Sequence, residues 1–389
     1  MIRLFVMALA LAAGASQAVA QAPAQQQQQQ RPAPRTYTQD QLWSRSDGRI
    51  SFTPARISLA LRAGPVSFLE TGEVGMPGRG LDNVMQYRTE DGQVFASVYF
   101  YLPPLAHAGL SAFTTEQGLG TLSGGRLRRV AAGTAAVGGV ADGAVRIDYR
   151  GYRETLASSA AFFKAGRWMV KLRVSGPEDR RADVEAAMTA LIASFRFEGE
   201  IRPRPAVLLD VAGCASAPTT AARALPDNQD TFTDSLLAVF DPAGEMTQRP
   251  GASNPAPILA RFGNSWCQST RGRIGDNTIP ILRATGPAPS GTGRVNAQTV
   301  AVALISDSGR LLEVVRSEEN RFTLFHHQIG ETLVLGAYAA PPTDEQIIAM
   351  LTGADREAGR IRARIGLGLD GSTEIELRSI PGLTDRPTT

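Results

Sequence analysis

The sequence has little histidine and cysteine, and this scarcity excludes several classes of active site. Its histidines are His107, His326 and His327, and its cysteines are Cys214 and Cys267. A zinc site needs more of these residues in one place. His326 and His327 are adjacent on a predicted strand and point to opposite faces, so they cannot easily share one metal. We therefore predict no metal and no cofactor, and a single histidine paired with distant carboxylates stays open as an alternative.

The motifs of common catalytic sites are also absent. The sequence contains no G-x-S-x-G, S-x-x-K, H-E-x-x-H or P-loop motif. A G-x-G-x-x-G pattern occurs at 366–371 but precedes an alternating strand, whereas a dinucleotide site requires a helix there. We predict no catalytic and no cofactor-binding residue. A pair of aspartates or glutamates stays open, because carboxylates that are distant in sequence can meet in the fold.

Long apolar runs are missing after the first residues. The chain begins with Arg3, an apolar run at 4–13 and the small residues of Ala18-Val19-Ala20. This order predicts a secretory signal peptide at 1–20, and the run is too short to cross a bilayer. Cleavage is expected between Ala20 and Gln21. The mature chain is therefore expected in the periplasm or the medium, with no transmembrane segment.

Lysine is nearly absent, since Lys164 and Lys171 are the only lysines among 40 basic residues. An arginine-rich, alanine-rich composition is typical of a high-GC bacterial genome. The formal net charge is +3, which permits weak attraction to anionic surfaces. We expect an envelope protein or another anionic envelope component as partner, and no nucleic acid. The sequence leaves the oligomeric state open.

Composition along the chain predicts an α+β fold in two domains, each an antiparallel sheet of hairpins with one or more helices on a face. Six consecutive glutamines followed by prolines predict a flexible tether, or alternatively an interaction tail. Two X-Pro steps within Glu200–Pro205 predict a linker. The expected organisation is a tether at 21–40, a first domain at 41–198, a linker at 199–206, a second domain at 207–380 and a tail at 381–389.

Local signals predict the main hairpins and helices. Turns are expected at Glu90-Asp91-Gly92, Lys164-Ala165-Gly166, Asp307-Ser308-Gly309 and Ile329-Gly330. Apolar residues at three- and four-residue spacing predict a helix over 178–196. Thr343 and Gln346 form a capping box that starts a second helix, and Gly353 ends it.

A basic stripe precedes the last predicted hairpin. Arg360, Arg362 and Arg364 alternate with apolar residues. A three-residue turn, Leu369-Asp370-Gly371, places glycine at the left-handed position. It predicts the pairs Ile365 with Ile375, Ala363 with Leu377 and Arg364 with Glu376. The stripe is then partly neutralised, which favours a solvated sheet face over an anion-binding role.

Cysteines and aromatic residues give two further predictions. In an oxidising compartment, two cysteines favour a Cys214–Cys267 disulfide over free thiols or a redox pair. Aromatic residues in the first predicted domain belong to the core or stack on sugars or a peptide, and we favour the core. These residues are Tyr87, Phe95, Tyr99, Phe100 and Tyr101.

Residues 145–197 resemble the closing part of the Mog1/PsbP-like family. Arg146-Ile147-Asp148-Tyr149, the strand from Trp168 to Val174 and the helix ending in Phe195-Arg196-Phe197 carry the resemblance. It implies an exported α+β accessory module with no common catalytic apparatus, and it does not extend to the second domain.

The leading functional hypothesis is a periplasmic, non-catalytic binding or assembly module of the bacterial cell envelope. The alternative is an envelope hydrolase that uses carboxylates. A hydrolase predicts a deep pocket with converging carboxylates and a perturbed pKa. A binding module predicts a shallow groove or an exposed sheet edge.

Overall fold

The computed structural model describes residues 35–227, 265–275, 277–286, 298–318 and 320–377. Contacts divide the chain into the units Met1–Arg35 and Thr36–Thr389, and the second is described below. The predicted signal peptide, most of the tether and the tail at 381–389 lie outside the described residues. Ordered structure begins earlier than predicted, because the Tyr37 N–H donates to the Gly78 carbonyl at 2.7 Å and helix α1 (Gln39–Leu42) follows.

Strands, nearly all antiparallel, make up about half of the described chain, and helices are few. The first half contains β1 (Trp43–Ser46), β2 (Arg49–Phe52), β3 (Ile57–Ala60), β4 (Arg62–Ala63), β5 (Val66–Glu73), β6 (Asp82–Arg88), β7 (Phe95–Tyr101), β8 (Arg128–Val137), β9 (Val140–Tyr152), β10 (Leu156–Ala165), β11 (Trp168–Pro177) and β12 (Arg196–Phe197). The second half contains β13 (Val211–Gly213), β14 (Trp266–Ile274), β15 (Asn277–Ala284), β16 (Gln298–Leu304), β17 (Leu311–Glu318), β18 (Arg321–Gln328), β19 (Glu331–Tyr338), β20 (Ala363–Leu367) and β21 (Thr373–Leu377). The remaining α-helices of the described residues are α2 (Ala108–Leu122), α3 (Arg181–Ser194) and α4 (Asp344–Leu351).

The first half forms an eight-stranded sheet in the order β4-β5-β6-β7-β11-β10-β9-β8, with a four-stranded sheet β1-β2-β3-β12 beside it. Helix α3 packs against β10 and β11, and its predicted apolar face is buried. Helix α2 covers β9 and β10 on the opposite face of the sheet. Because helices cover both faces of the sheet at β10, nine of the ten residues of this strand are buried.

The second half forms a nine-stranded sheet in the order β13 to β21. Strand β13 pairs in parallel with β14, and the pairings from β14 to β21 are antiparallel. Helix α4 begins at the predicted capping box, in which the Thr343 hydroxyl accepts from the Gln346 N–H at 3.2 Å. Its Ile347 side chain is fully buried in the core that the sheet forms with this helix.

The structure confirms the predicted hairpins. Consecutive antiparallel strands flank the four predicted turns. The last hairpin has the predicted register, with Ala363 opposite Leu377 and Ile365 opposite Ile375. Gly371 adopts a φ of 89°, a conformation that side chains with a Cβ rarely adopt. The G-x-G-x-x-G pattern is therefore a turn between two strands.

The predicted linker at 199–206 lies against the first sheet. The Arg204 N–H donates to the Lys164 carbonyl at 3.0 Å, and the Ala206 N–H donates to the Asp142 carbonyl at 2.7 Å. The two halves also share a hydrophobic cluster, in which Leu105 and Leu110 pack with Trp266. The observed fold is thus a set of mainly antiparallel sheets with few helices, and the division into two domains stays a prediction. No described helix is both long and apolar enough to span a membrane.

Candidate functional site

The junction between the two halves contains a charged cluster around Lys171. The Lys171 ammonium forms an ion pair with the Asp307 carboxylate and lies 5.2 Å from the centre of the Tyr99 ring. Asp307 lies in the turn between β16 and β17. The Thr115 hydroxyl donates to its carboxylate at 2.9 Å, and the Tyr101 hydroxyl donates to its backbone carbonyl at 2.7 Å. The turn of one sheet is therefore fixed to a strand and a helix of the other half.

Asp82 lies beside this cluster and is only 8 % exposed. It is directly opposite Tyr101 in the β6–β7 pair. Burial and the negative charge of Asp307 raise its pKa to about 6, and the Lys171 charge opposes this change. The cluster meets two criteria of a carboxylate enzyme, because two acids converge and one of them has a perturbed pKa.

A second polar cluster is sealed inside the nine-stranded sheet. His327 Nε2 lies 2.8 Å from a Glu313 oxygen, and its Nδ1 lies 2.9 Å from the Thr332 hydroxyl. Glu313 also accepts from the Thr299 hydroxyl at 2.5 Å. This is the pairing of one histidine with a distant carboxylate that the sequence left open. Because His327 is 2 % and Glu313 0 % exposed, a substrate cannot reach the pair, which serves to satisfy buried polar groups.

Of the other two histidines, His107 caps a helix and His326 lies on β18. His107 is the N-cap of α2, and its Nδ1 accepts from the Leu110 N–H at 3.2 Å. Burial, with a smaller effect of Lys164, lowers its pKa to about 4. Burial followed by the charges of His327 and Arg310 lowers the pKa of His326 to about 4. No group of three or more possible metal-ligating side chains occurs within the described part of the chain.

The basic stripe before the last hairpin is paired with carboxylates, but Arg362 is buried and does not lie on the solvated sheet face that the sequence favours. Arg360 and Arg362 both pair with Asp227. Arg364 lies 2.7 Å from Glu331 and 3.9 Å from its predicted partner Glu376. Sequence reasoning identified the cross-strand partner and missed the closer ones, which come from other elements. The arrangement does not favour an anion site at these arginines.

The aromatic residues of the β6–β7 hairpin divide between the core and the surface. Tyr87, Phe100 and Tyr101 are buried, which confirms the core interpretation for these three. Phe95 is 51 % exposed and Tyr99 is half-buried.

A shallow cavity of about 410 Å³ lies where β8 and α3 end. It is lined by Ala136, Gly138, Gly139, Ile192, Ala193, Phe195, Arg196, Phe197 and Arg202. The lining therefore combines apolar side chains with two guanidinium groups and contains no carboxylate, histidine or hydroxyl side chain. Such a lining can hold an apolar group beside an anion, but it has no acid or base for general acid–base chemistry.

Strand β8 forms one edge of the eight-stranded sheet. In the described part of the chain, it pairs with β9 on one side only. Most of its residues are exposed, among them Arg128, Val130 and Ala132. An uncovered edge strand presents unpaired N–H and C=O groups that can pair with another strand. The cavity adjoins this edge because Ala136 of β8 belongs to its lining.

The predicted disulfide is present. Cys214 and Cys267 are bridged, with their Cα atoms 4.8 Å apart. The bridge joins the segment after β13 to β14 and lies in neither polar cluster nor the cavity.

Several solved structures match the chain, and two of them show the extent of the similarity. The solution structure of cyanobacterial PsbP (CyanoP) from Synechocystis sp. PCC 6803 has a TM-score of 0.29 and 17 % identity, covering 38 % of this chain and 91 % of that one. A crystal structure from Bacteroides thetaiotaomicron VPI-5482 has a TM-score of 0.22 and 11 % identity, covering 60 % of this chain and 85 % of that one. No protein-family model and no curated protein matches the chain. The weak resemblance to a PsbP-like module is thus supported, and at these scores it carries no argument about function.

Proposed function

We propose that this protein is an exported, non-catalytic module of the bacterial cell envelope that binds a partner through the edge of β8 and the adjoining cavity. One observation carries the proposal: the cavity contains no acid–base group and adjoins a sheet edge that has no neighbouring strand among the described residues. The carboxylate with the perturbed pKa, Asp82, belongs to a different cluster, at the junction of the two halves. The cavity and the converging carboxylates, both of which a hydrolase site requires, therefore lie in different places.

The charged cluster has a structural role in this proposal. Asp307 is held by Lys171 and Thr115, so its carboxylate is already occupied by two donors. Asp82 is buried next to it. Charged groups that form structural ion pairs between parts of a protein commonly have shifted pKa values without taking part in catalysis. The raised pKa of Asp82 nevertheless favours a second candidate, the carboxylate-dependent hydrolase, which the experiment below includes.

Export is part of the proposal and is supported by the disulfide. Disulfides persist in oxidising compartments such as the bacterial periplasm, and Cys214 and Cys267 are bridged. Together with the predicted signal peptide at 1–20, this favours a periplasmic protein. The intact mass of the mature protein checks the cleavage between Ala20 and Gln21. A mature chain that retains residues 4–13 contradicts export by this route.

Site-specific photo-crosslinking in intact cells tests the binding site. A photo-reactive residue at the exposed Ala132 of β8 is expected to crosslink one partner reproducibly. The matched control is the same residue at the exposed Arg62 of β4, the opposite edge of the same sheet. The same partner captured from both positions, or none from Ala132, contradicts binding at β8.

An enzyme assay completes the test. The purified protein is incubated with peptidoglycan fragments, glycosides, esters and phosphoesters, and no turnover is expected. Turnover that is lost in Asp82→Asn, with the fold retained by circular dichroism, would establish the hydrolase and overturn the proposal.

A further inference from the structure

We infer that the partner contributes an extended, acidic segment, which adds to the sheet as a strand beside β8 and places an apolar side chain in the cavity. This inference rests on the proposed function and specifies the chemistry of the partner.

The shape of the edge favours an extended segment. Residues 131–135 keep a regular register with β9 between two bulges. Four of these five residues are alanine or glycine. A Cβ placed on Gly133 would meet no atom within 4 Å, so the backbone is open to close approach here. Strand addition uses such a backbone for affinity and nearby pockets for specificity.

The cavity favours one large apolar side chain in that segment. Ile192, Phe195 and Phe197 are among its lining residues, and Phe197 is the most exposed of the three. The rings of Phe195 and Phe197 are stacked, with their centres 6.0 Å apart. A cavity of roughly 150 Å³ can hold benzene, so a cavity of about 410 Å³ has room for a phenylalanine or leucine side chain.

Charge favours an acidic segment. Arg196 and Arg202 line the cavity, and Arg128 lies at the other end of β8. Among the described residues, none of these three arginines has a carboxylate partner. The hydrogen bonds of Arg196 and Arg202 run from Nη1 to backbone carbonyls. These guanidinium groups therefore keep their net positive charge.

One carboxylate lies near the middle of the edge. Asp142 of β9 accepts a hydrogen bond from the Thr134 hydroxyl at 2.6 Å. The acidic residues of the partner are therefore expected at the ends of its strand, next to Arg202 or Arg128, and uncharged residues are expected near Thr134.

The same charges disfavour a second copy of the chain. A symmetric antiparallel pair of β8 strands centred on Ala132 would bring Arg128 of one copy opposite Ala136 of the other. Ala136 lines the cavity together with Arg196 and Arg202. Like charges would then approach at both ends of the pair, which is destabilising.

Labelled peptides test the inference with the full mature protein. The probes are ten-residue peptides of alternating valine and threonine, with two glutamates, two glutamines or two lysines at one end. Fluorescence anisotropy measures their dissociation constants. The glutamate peptide is expected to bind about four- to 25-fold more tightly than the glutamine peptide, since one exposed ion pair contributes about two- to fivefold. This advantage should shrink as salt is added, and the lysine peptide should bind most weakly.

Two variants test whether Arg202 causes the preference for the glutamate peptide. Arg202→Gln is expected to weaken binding of the glutamate peptide about two- to fivefold. The affinity for the glutamine peptide should not change. Arg62→Gln on the opposite edge is the matched control and should change neither. A phenylalanine next to the glutamates should strengthen binding about tenfold, the lower end of what burial of a large apolar side chain contributes.

The outcomes separate the inference from the proposed function. Equal binding of the three peptides, or tightest binding of the lysine peptide, refutes the acidic partner and leaves binding at β8 intact. If no peptide binds but Ala132 captures a partner in cells, the inference fails and the proposed function stands. If no peptide binds and Ala132 captures no partner, both the inference and the proposed function fail. A dimer in sedimentation that Ala132→Glu dissociates would assign the edge to a second copy and overturn the inference.

Discussion

Replacing Asp82 by asparagine is expected to stabilise the protein at neutral pH and to have little effect at pH 4. Asparagine has nearly the shape of a protonated aspartic acid and carries no charge. In the folded protein, burial and Asp307 disfavour the charged form of Asp82, and its pKa rises from 3.8 to about 6. The substitution removes a group whose ionisation opposes folding.

The sign and size of the effect follow from linkage between proton binding and folding. Below about pH 3.9, Asp82 is protonated in both states and contributes no pH dependence. Between that value and about pH 6, the unfolded chain ionises first, so the folded state loses about 1.4 kcal/mol of stability for each pH unit. Above pH 6 both states are charged and the loss stays constant at about 3 kcal/mol. Asp82→Asn should recover up to this amount at pH 7.5.

Urea unfolding followed by tryptophan fluorescence measures the effect at pH 4.0, 5.0, 6.0 and 7.5. The free energy of unfolding of the variant is compared with that of the natural protein at each pH. This comparison is needed because His107 and His326, whose pKa values are lowered to about 4, give the protein an acid sensitivity of their own. Glu90→Gln, in the exposed turn between β6 and β7, is the control. A difference between Asp82→Asn and the natural protein that does not change with pH would refute the reasoning.

Substitutions at the Gly371 turn, the disulfide and the α4 cap also test the fold. Gly371→Val should lower the free energy of unfolding by about 1–3 kcal/mol, because a β-branched residue is strained at positive φ. Gly371→Asn should cost less, and an unchanged melting temperature in the valine variant would place the turn elsewhere. Replacing Cys214 and Cys267 by alanine should cost about 4 kcal/mol, the chain-entropy value for a loop of 53 residues. Equal stability of the oxidised and reduced protein would contradict this value. Thr343→Ala should cost about 1 kcal/mol through loss of the α4 cap, and Thr343→Ser should restore most of it. Urea titration measures each change.

Local sequence signals were sufficient for several elements of this fold. The capping box at Thr343 and the periodic apolar face of α3 each lie within one stretch of chain, so their interactions could be inferred from spacing. The register of the last hairpin could be predicted because a one-residue shift would exchange its apolar and charged faces. The disulfide could be predicted because only two cysteines are present.

Helix α2 was not predicted, because its stability comes from elsewhere in the fold. Its sequence contains Gly109, Gly118 and Gly120, and glycine is a poor helix former. At Gly109, a Cβ would lie 2.5 Å from the Val207 carbonyl oxygen. Glycine at this position therefore allows the chain after the first sheet to pass close to the helix. Only the packed structure gives a reason for this residue, and most helical stability in proteins comes from such packing.

The sequence by itself determined the local turns, two of the helices, the pairing of the cysteines and the absence of common catalytic motifs. Tertiary structure alone decided that Lys171 meets Asp307 across 136 residues of sequence, and that His327 is sealed against Glu313. It also decided that β8 is an edge with an arginine-lined cavity at its end. The physical reason is that strand order and the packing of one sheet on another arise from contacts between distant segments. Such contacts leave no periodic signal in either segment alone.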